Sequence, residues 1–380
     1  MTAADYSSVA TPCFVLDEAA LCRNIEILGS VQQRTGCRIL LALKAFSVYK
    51  LFPLMRHRLN GVCASGPWEA RLGREEFGHE IHVEAPAYSE RDMAELVGCA
   101  DHIVFNSCSQ WQRFKPMIAK AVRPISCGLR LNPQHSEAPV EKYSPCGRWS
   151  RLGITRAELD ERTLEGITGF HFHVLCEQDA DAFGRSLAAI ERLFGDLIPG
   201  MRWVNFGGGH QITRKGYNIG QLCKLLTDFS ERYDIRDIYL EPGEAVALDA
   251  GVLVATVRDI VRNEMDIAIL DTSASAHMPD VLDMPYRPTI EGAGEPGEFP
   301  HTFRLGGNTC LAGDIIGDYS FPAPLEVGQR IVFGDMAHYS IVKTTMFNGV
   351  KHPAIAVQRR NGAIDILREF TYEDYKARMA

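Results

Sequence analysis

Eight short apolar runs rich in β-branched residues, with helical patterns between them, constrain the fold of this 380-residue chain more than any other feature. They are RILLAL (38–43), GVCAS (61–65), EIHVEA (80–85), HIVFN (102–106), ISCGLRLN (125–132), ITGFHFHV (167–174), RWVNF (202–206) and DIYLE (237–241). Segments such as WEARLGREEF (68–77), ERDMAELV (90–97) and DADAFGRSLAAIERLF (179–194) separate them. Alternation of this kind is the signature of βα units and a parallel sheet. Eight units predict an α/β fold, a (β/α)8 TIM-like barrel, with a doubly wound sheet as the alternative. The length allows a barrel with an addition, and 46% hydrophobic residues supply a sizeable core.

After Glu241 the texture changes. GVLVATVRDIVR (251–262), DIAILD (266–271), RIVFGD (330–335) and AIAVQ (354–358) are divided by Gly/Pro-rich turns without comparable helices. We therefore expect a barrel over 22–245 and a second, mainly β domain from 1–21 and 246–380, to which CFVLD (13–17) adds a strand. The fifth connection, 133–155, carries Pro, Gly and Ser punctuation and is too long for a simple βα unit. Long loops in compact domains are usually functional. There is no internal repeat and no low-complexity tract.

Net charge is −8 and no Lys/Arg run is long enough to track phosphates, which argues against a nucleic-acid partner and suits a cationic small molecule. The N-terminus lacks a basic segment followed by an apolar one, and no stretch reaches the about 18 apolar residues of a membrane span. The expectation is a cytoplasmic protein with no membrane partner. Eleven cysteines without a CxxC pair read as reduced thiols rather than a disulfide or zinc framework.

Active sites of such barrels lie at the C-terminal ends of the strands, with the phosphate subsite commonly after strands seven and eight. Lys44 ends the first apolar run. An ammonium there either snorkels past the strand end or serves as a Schiff-base lysine, which gains from a desolvated site. His171 and His173 fall near the end of the sixth run, on one face by strand alternation. Gly207, Gly208 and Gly209 follow the seventh run, and Glu241 ends the eighth. The glycines read as a tight turn or as a phosphate nest whose bare amides approach an anion. The histidines read as structural or as metal ligands, and Glu241 as a cap or an arginine partner. A metal site needs more ligands on the last two strands than one carboxylate. Lysine, flat histidine, glycine nest and carboxylate on one rim fit pyridoxal 5′-phosphate better.

These residues resemble the fold-type III pyridoxal-phosphate enzymes, the alanine racemase and ornithine/diaminopimelate decarboxylase group. Within it the chain is most similar to the carboxynorspermidine decarboxylase branch. The resemblance runs through TPCFVLDEAAL (11–21), ALKAFS (42–47), YSPCGRWSRLG (143–153), FHFHVLCEQ (170–178), NFGGGHQIT (205–213) and LEPGEA (240–245). It continues through DTSASAHMPDVLDMPYRP (271–288), GNTCLAGD (307–314) and DMAHYSIVKTTMFNG (335–349). LKAFS, EPGEA, HMPDVLDMPYRP and CLAGD are the words specific to the branch.

The resemblance implies a lyase: pyridoxal-phosphate-dependent decarboxylation of carboxynorspermidine to norspermidine, or of carboxyspermidine to spermidine, in polyamine biosynthesis. It implies Lys44 as the Schiff-base residue, His173 stacked on the ring, Gly207, Gly208 and Gly209 at the phosphate, and Glu241 on the pyridine nitrogen. It further implies Cys310 as a proton donor presented by the neighbouring subunit of a homodimer, Asp314 from the same side, and Tyr339 reaching the phosphate. Asp280 and Asp283 join Asp314 as candidate contacts for a cationic tail. A departure is Glu244, where ornithine and diaminopimelate decarboxylases carry an arginine that supports the phosphate. The alternatives are a diaminopimelate- or ornithine-type decarboxylase, an amino-acid racemase, a pyridoxal-phosphate-binding barrel without turnover, and a metal-dependent hydrolase.

Overall fold

The computed structural model describes residues 6–380, which divide into two compact units, one of Cys22–Val246 and one of Ala247–Ala380 with the residues up to Leu21. Along the chain, β1 (Cys13–Asp17) and α1 (Glu18–Thr35) precede eight parallel strands. These are β2 (Arg38–Ala42), β3 (Gly61–Ala64), β4 (Glu80–Glu84), β5 (His102–Phe105), β6 (Ser126–Arg130), β7 (Gly169–His171), β8 (Trp203–Asn205) and β9 (Asp237–Leu240). β2 pairs with β9, Arg38 opposite Tyr239 and Ile39 opposite Leu240, which closes the barrel and excludes the doubly wound alternative.

The connecting helices are α2 (Pro67–Leu72), α3 (Glu90–Cys99), α4 (Cys108–Ile118), α5 (Ala180–Phe194) and α6 (Ile219–Tyr233). Local chemistry starts them. Ser89 and Asp92 form a capping box on α3, Ser107 accepts from the Gln110 amide on α4, and Asn218 from the Gln221 amide on α6. Phe183, Leu187, Ile190 and Phe194 give α5 its buried stripe. The loop 133–155 carries only one short 3-10 turn, Glu141–Tyr143, and returns to the barrel where Ile154 bridges Leu131.

Large and small residues interlock inside the barrel. The Trp203 indole lies over Gly128 and Gly169 and donates to Ser126 Oγ at 2.8 Å. A Cβ on Gly169 would sit 2.0 Å from that ring, and one on Gly128 2.3 Å. At the strand-start end Glu80 accepts from Arg38 at 2.5 Å and from the Tyr239 hydroxyl at 2.8 Å, while the His82 and His102 rings stack at 3.8 Å and 11°. Glu80, His82 and His102 have ligand atoms within 4.8 Å of one another. Arg38 pairs with both Glu80 and Asp237 at this end of the barrel.

The other unit is a sheet built from β10 (Gly251–Asn263), β11 (Met265–Leu270), β12 (His301–Gly306), β13 (Ile315–Phe321), β14 (Arg330–Phe333), β15 (Ala354–Gln358) and β16 (Ile364–Arg368). Its order is β13-β12-β11-β10-β1-β15-β16, with β14 also on β10. CFVLD does add the expected strand: β1 lies antiparallel to β10 and parallel to β15. Phe14, Leu253, Leu270, Phe303 and Phe333 form its core. β12, β13 and β16 extend the sheet beyond the four runs read from sequence, because HTFRLG, IIGDYSF and IDILR mix charged residues into their apolar faces.

Gly169→Ala is expected to destabilise the barrel by about 1–3 kcal/mol through overpacking against Trp203. A parent-like urea midpoint would show that the indole can move aside.

Candidate active site

β2 ends at Ala42, and the turn after it is held by Leu43 N–H donating to the Cys63 carbonyl (3.0 Å) and by Ala45 N–H donating to Ala42 (3.1 Å). Ala45 and Phe46 are buried while Lys44 is exposed, so its side chain leaves the apolar run rather than ending in it. Of the two readings of RILLALK, the exposure matches the one in which Lys44 projects past the strand end. Its charge reaches His173, Cys63, Glu69 and Cys176. Glu69 was not singled out from sequence. Burial raises its carboxyl, while the Ser65 amide at 2.7 Å and Lys44 oppose that rise.

Three strand ends meet at one carboxylate. Glu241 is buried just past β9, and it accepts from His171 Nε2 at 3.2 Å and from Asn205 Nδ2 at 2.6 Å. Burial alone would raise its pKa, but His171 and Asn205 hold it down to about 2. Glu241 is thus kept as an anion in the barrel mouth. Burial and Glu241 together push the neighbouring Cys63 thiol well up, so that thiol stays protonated.

His173, half-buried two residues past β7, accepts the Gly208 amide on Nδ1 at 3.1 Å. That bond leaves the ring proton on Nε2. Burial, then the charges of Lys44 and Arg130, depress its pKa well below the usual histidine value, so the ring is neutral at neutral pH. Cys146 of the long loop reaches the His173 carbonyl at 3.7 Å, and Arg130 forms a buried ion pair with Glu84 at 3.0 Å. His171 and His173 serve separate hydrogen bonds, and among the described residues Glu80, His82 and His102 at the far end of the barrel are the only group spaced for a metal. The metal reading of the histidine pair is therefore dropped.

The glycines are a packing necessity before they are a nest. A Cβ on Gly207 would lie 2.6 Å from His173 Nδ1, one on Gly208 2.3 Å from the Glu241 carbonyl oxygen, and one on Gly209 2.0 Å from the Leu175 carbonyl oxygen. Gly207 and Gly209 also take positive φ, 68° and 82°. The Gly207 amide donates to Asn205 Oδ1 (2.8 Å) and the Gly208 amide to His173, whereas among the described residues no acceptor takes the Gly209 amide. Two of the three amides thus position Asn205 and His173, which leaves that of Gly209. Glu244 accepts from Gln211 Nε2 at 2.7 Å, Gln211 Oε1 accepts from Arg214 at 2.7 Å, and Arg214 pairs with Asp179. A free amide in a side-chain-free cradle, a retained carboxylate, a neutral imidazole and an exposed amine fit pyridoxal 5′-phosphate.

The remaining expected residues lie in the sheet unit. Cys310 is exposed on the loop between β12 and β13, and Asn348 Oδ1 accepts its amide at 2.7 Å. Asp314 is buried and accepts from Ser273 Oγ (2.9 Å), the Ser275 amide (3.1 Å) and Thr309 Oγ1 (2.6 Å). Such a saturated carboxylate braces its own loop, and the expectation that it meets a substrate tail is corrected. Asp280 pairs with Lys343 at 2.5 Å, so its charge is already neutralised, whereas Asp283 on the same helical turn is exposed. Tyr339 takes positive φ (47°), and the Lys343 ammonium lies 5.1 Å from its ring centroid. Asn205 and Asn348 escaped the sequence reading. Asn205 sits immediately before the FGGG word, and that position was the available signal.

The charge of Glu241 stabilises the fold fully above the ordinary carboxyl pKa of about 4.3, and this is lost as pH falls toward the folded value. Glu241→Gln should lower the melting temperature near neutral pH, with the gap closing below about pH 4. A gap independent of pH would remove charge pairing as its source.

The chain is similar to known proteins over nearly its whole length. The family model described as pyridoxal-dependent decarboxylase, C-terminal sheet domain, matches residues 13–337. A carboxyaminopropylagmatine decarboxylase from Synechocystis is 45% identical over 374 residues, 98% of this chain and 96% of that protein. A carboxynorspermidine/carboxyspermidine decarboxylase from Campylobacter jejuni is 43% identical, covering 98% of this chain and 99% of the relative. The crystal structure of carboxynorspermidine decarboxylase from Campylobacter jejuni, complexed with norspermidine, superposes with a TM-score of 0.90 at 41% identity, over 97% of this chain and 100% of that one. With the barrel, the sheet and the lysine-histidine-glycine-carboxylate rim in place, the chain belongs to the pyridoxal-dependent decarboxylases.

Proposed function

We propose that this protein removes CO2 from the amino-acid head of a carboxylated polyamine, carboxynorspermidine or carboxyspermidine, using pyridoxal 5′-phosphate. The observation that carries the reading is the rim itself: Lys44, neutral His173, the Gly207–Gly209 cradle and the anionic Glu241 all stand at strand ends of one barrel. The near full-length relatives supply the substrate class.

Bound there, the cofactor supplies an electron-accepting ring conjugated to the substrate α-carbon. Lys44, exposed at the end of the first barrel strand, would hold its aldehyde carbon. Glu241 keeps a proton on the ring nitrogen, a task that needs the carboxylate ionised, and His171 with Asn205 ensures that it is. His173 packs a neutral ring against the cofactor face, because its Nδ1 is committed to Gly208. The Gly209 amide would receive the phosphate. Glu244 cannot act as the arginine does in other family members; it accepts from Gln211 Nε2. Cys310 returns a proton to the substrate carbon as general acid, delivered from the neighbouring subunit of a homodimer. Asp283, which is exposed, is the carboxylate offered to a cationic tail.

A second substrate reading, carboxyaminopropylagmatine, rests on the 45% identity to the Synechocystis enzyme. It places a guanidinium at the tail, which a carboxylate binds through two hydrogen bonds rather than one.

The test is CO2 release by the cofactor-loaded protein on carboxynorspermidine, carboxyspermidine and carboxyaminopropylagmatine, beside meso-diaminopimelate, ornithine and arginine. Turnover confined to the first two supports the proposal. Turnover on the guanidino compound alone selects the second reading, and turnover on the simple amino acids or racemisation without CO2 overturns both. Lys44→Ala should abolish turnover while leaving the melting temperature close to that of the parent; retained turnover would overturn the assignment of that lysine.

A further inference from the structure

The loop Gly307–Asp314, which carries Cys310, is held from two sides. On the inner side the Asp314 carboxylate gathers Ser273 Oγ, the Ser275 amide, the Thr309 amide (3.2 Å) and Thr309 Oγ1. The loop backbone closes on itself, Gly307 N–H to Asp314 O at 2.8 Å and Asp314 N–H to Leu311 O at 2.9 Å. Position 307 must be glycine for this to happen, since a Cβ there would lie 2.2 Å from the Asp314 carboxylate. On the outer side Asn348 Oδ1 takes the Cys310 amide at 2.7 Å. Asn348 has φ 58°, a left-handed conformation that asparagine tolerates better than most side chains, and Gly349 beside it has φ 70°. The Thr345 amide donates to the Ala276 carbonyl at 2.8 Å, so the stretch bearing Asn348 is tied to the same Ser273–His277 turn that Asp314 grips.

Cys310 is therefore exposed without being loose. We infer that Asn348 and Asp314 are positioning residues for the Cys310 thiol, setting the place from which it delivers its proton. This rests on the reading of Cys310 as proton donor. In that step the S–H bond breaks as a C–H bond forms at the substrate carbon that has lost CO2, and the thiolate left behind regains a proton from solvent. Neither positioning residue touches the substrate.

Asn348→Gly keeps the left-handed backbone accessible and deletes the acceptor, while Asn348→Asp keeps an acceptor for the Cys310 amide. Thr309→Val removes a donor to Asp314 without touching Asn348. Each variant is measured as the cofactor-loaded protein for kcat, KM and the share of turnovers that end in aldehyde because the proton went to the cofactor. A misplaced donor typically costs about 10- to 100-fold. Asn348→Gly is expected to lose that much in kcat with little change in KM, and to raise the aldehyde share. Thr309→Val should move both readouts in the same direction, and Asn348→Asp should stay near the parent. If Cys310→Ser lowers kcat and raises the aldehyde share while Asn348→Gly and Thr309→Val leave both unchanged, the positioning inference falls and the donor reading stands. If Cys310→Ser itself changes neither, the donor reading falls and takes the inference with it.

Discussion

A single buried carboxylate organises the mouth of the barrel. Glu241 would be costly to bury alone, since an uncompensated charge in a low-dielectric interior shifts toward its neutral form. His171 from β7 and Asn205 from β8 each give it a hydrogen bond, which joins the ends of three consecutive strands and keeps the charge. Asn205 also accepts the Gly207 amide, so the glycine turn takes its starting point from the same side chain.

The rest of the rim follows from that junction. The Glu241 amide donates to the Gly207 carbonyl at 2.7 Å, and the Glu241 carbonyl lies where a Gly208 side chain would be. Gly208 in turn sets the His173 tautomer. Charge, turn and imidazole form one connected network. The amide left over is that of Gly209.

The sheet unit uses the same device for a different end. Asp314 is as enclosed as Glu241, but its donors are the hydroxyls and amides of its own loop and of the Ser273–His277 turn, so its charge is spent on loop shape. Lys343 likewise spends the charge of Asp280. Acidic residues that share motifs in the sequence thus divide into braces and one exposed carboxylate, Asp283.

The chain's own order of residues determined a parallel sheet of eight βα units, and the β2–β9 pairing decided that it closes into a barrel. Eight apolar runs separated by helical patterns cannot all be buried unless they pair in parallel, and the end of each run marks where its rim residue stands. The strand-end positions of Lys44, His173, the glycines and Glu241 were legible for that reason. The partners of each side chain were decided only by tertiary structure. Nothing in the spacing of His171, Asn205 and Glu241 says that they meet, because residues 70 and 36 positions apart become neighbours through barrel closure alone. Nor does the sequence say that Asp314 faces inward or that Asn348 holds Cys310 across 38 residues, since a carboxylate's role depends on which donors reach it after folding.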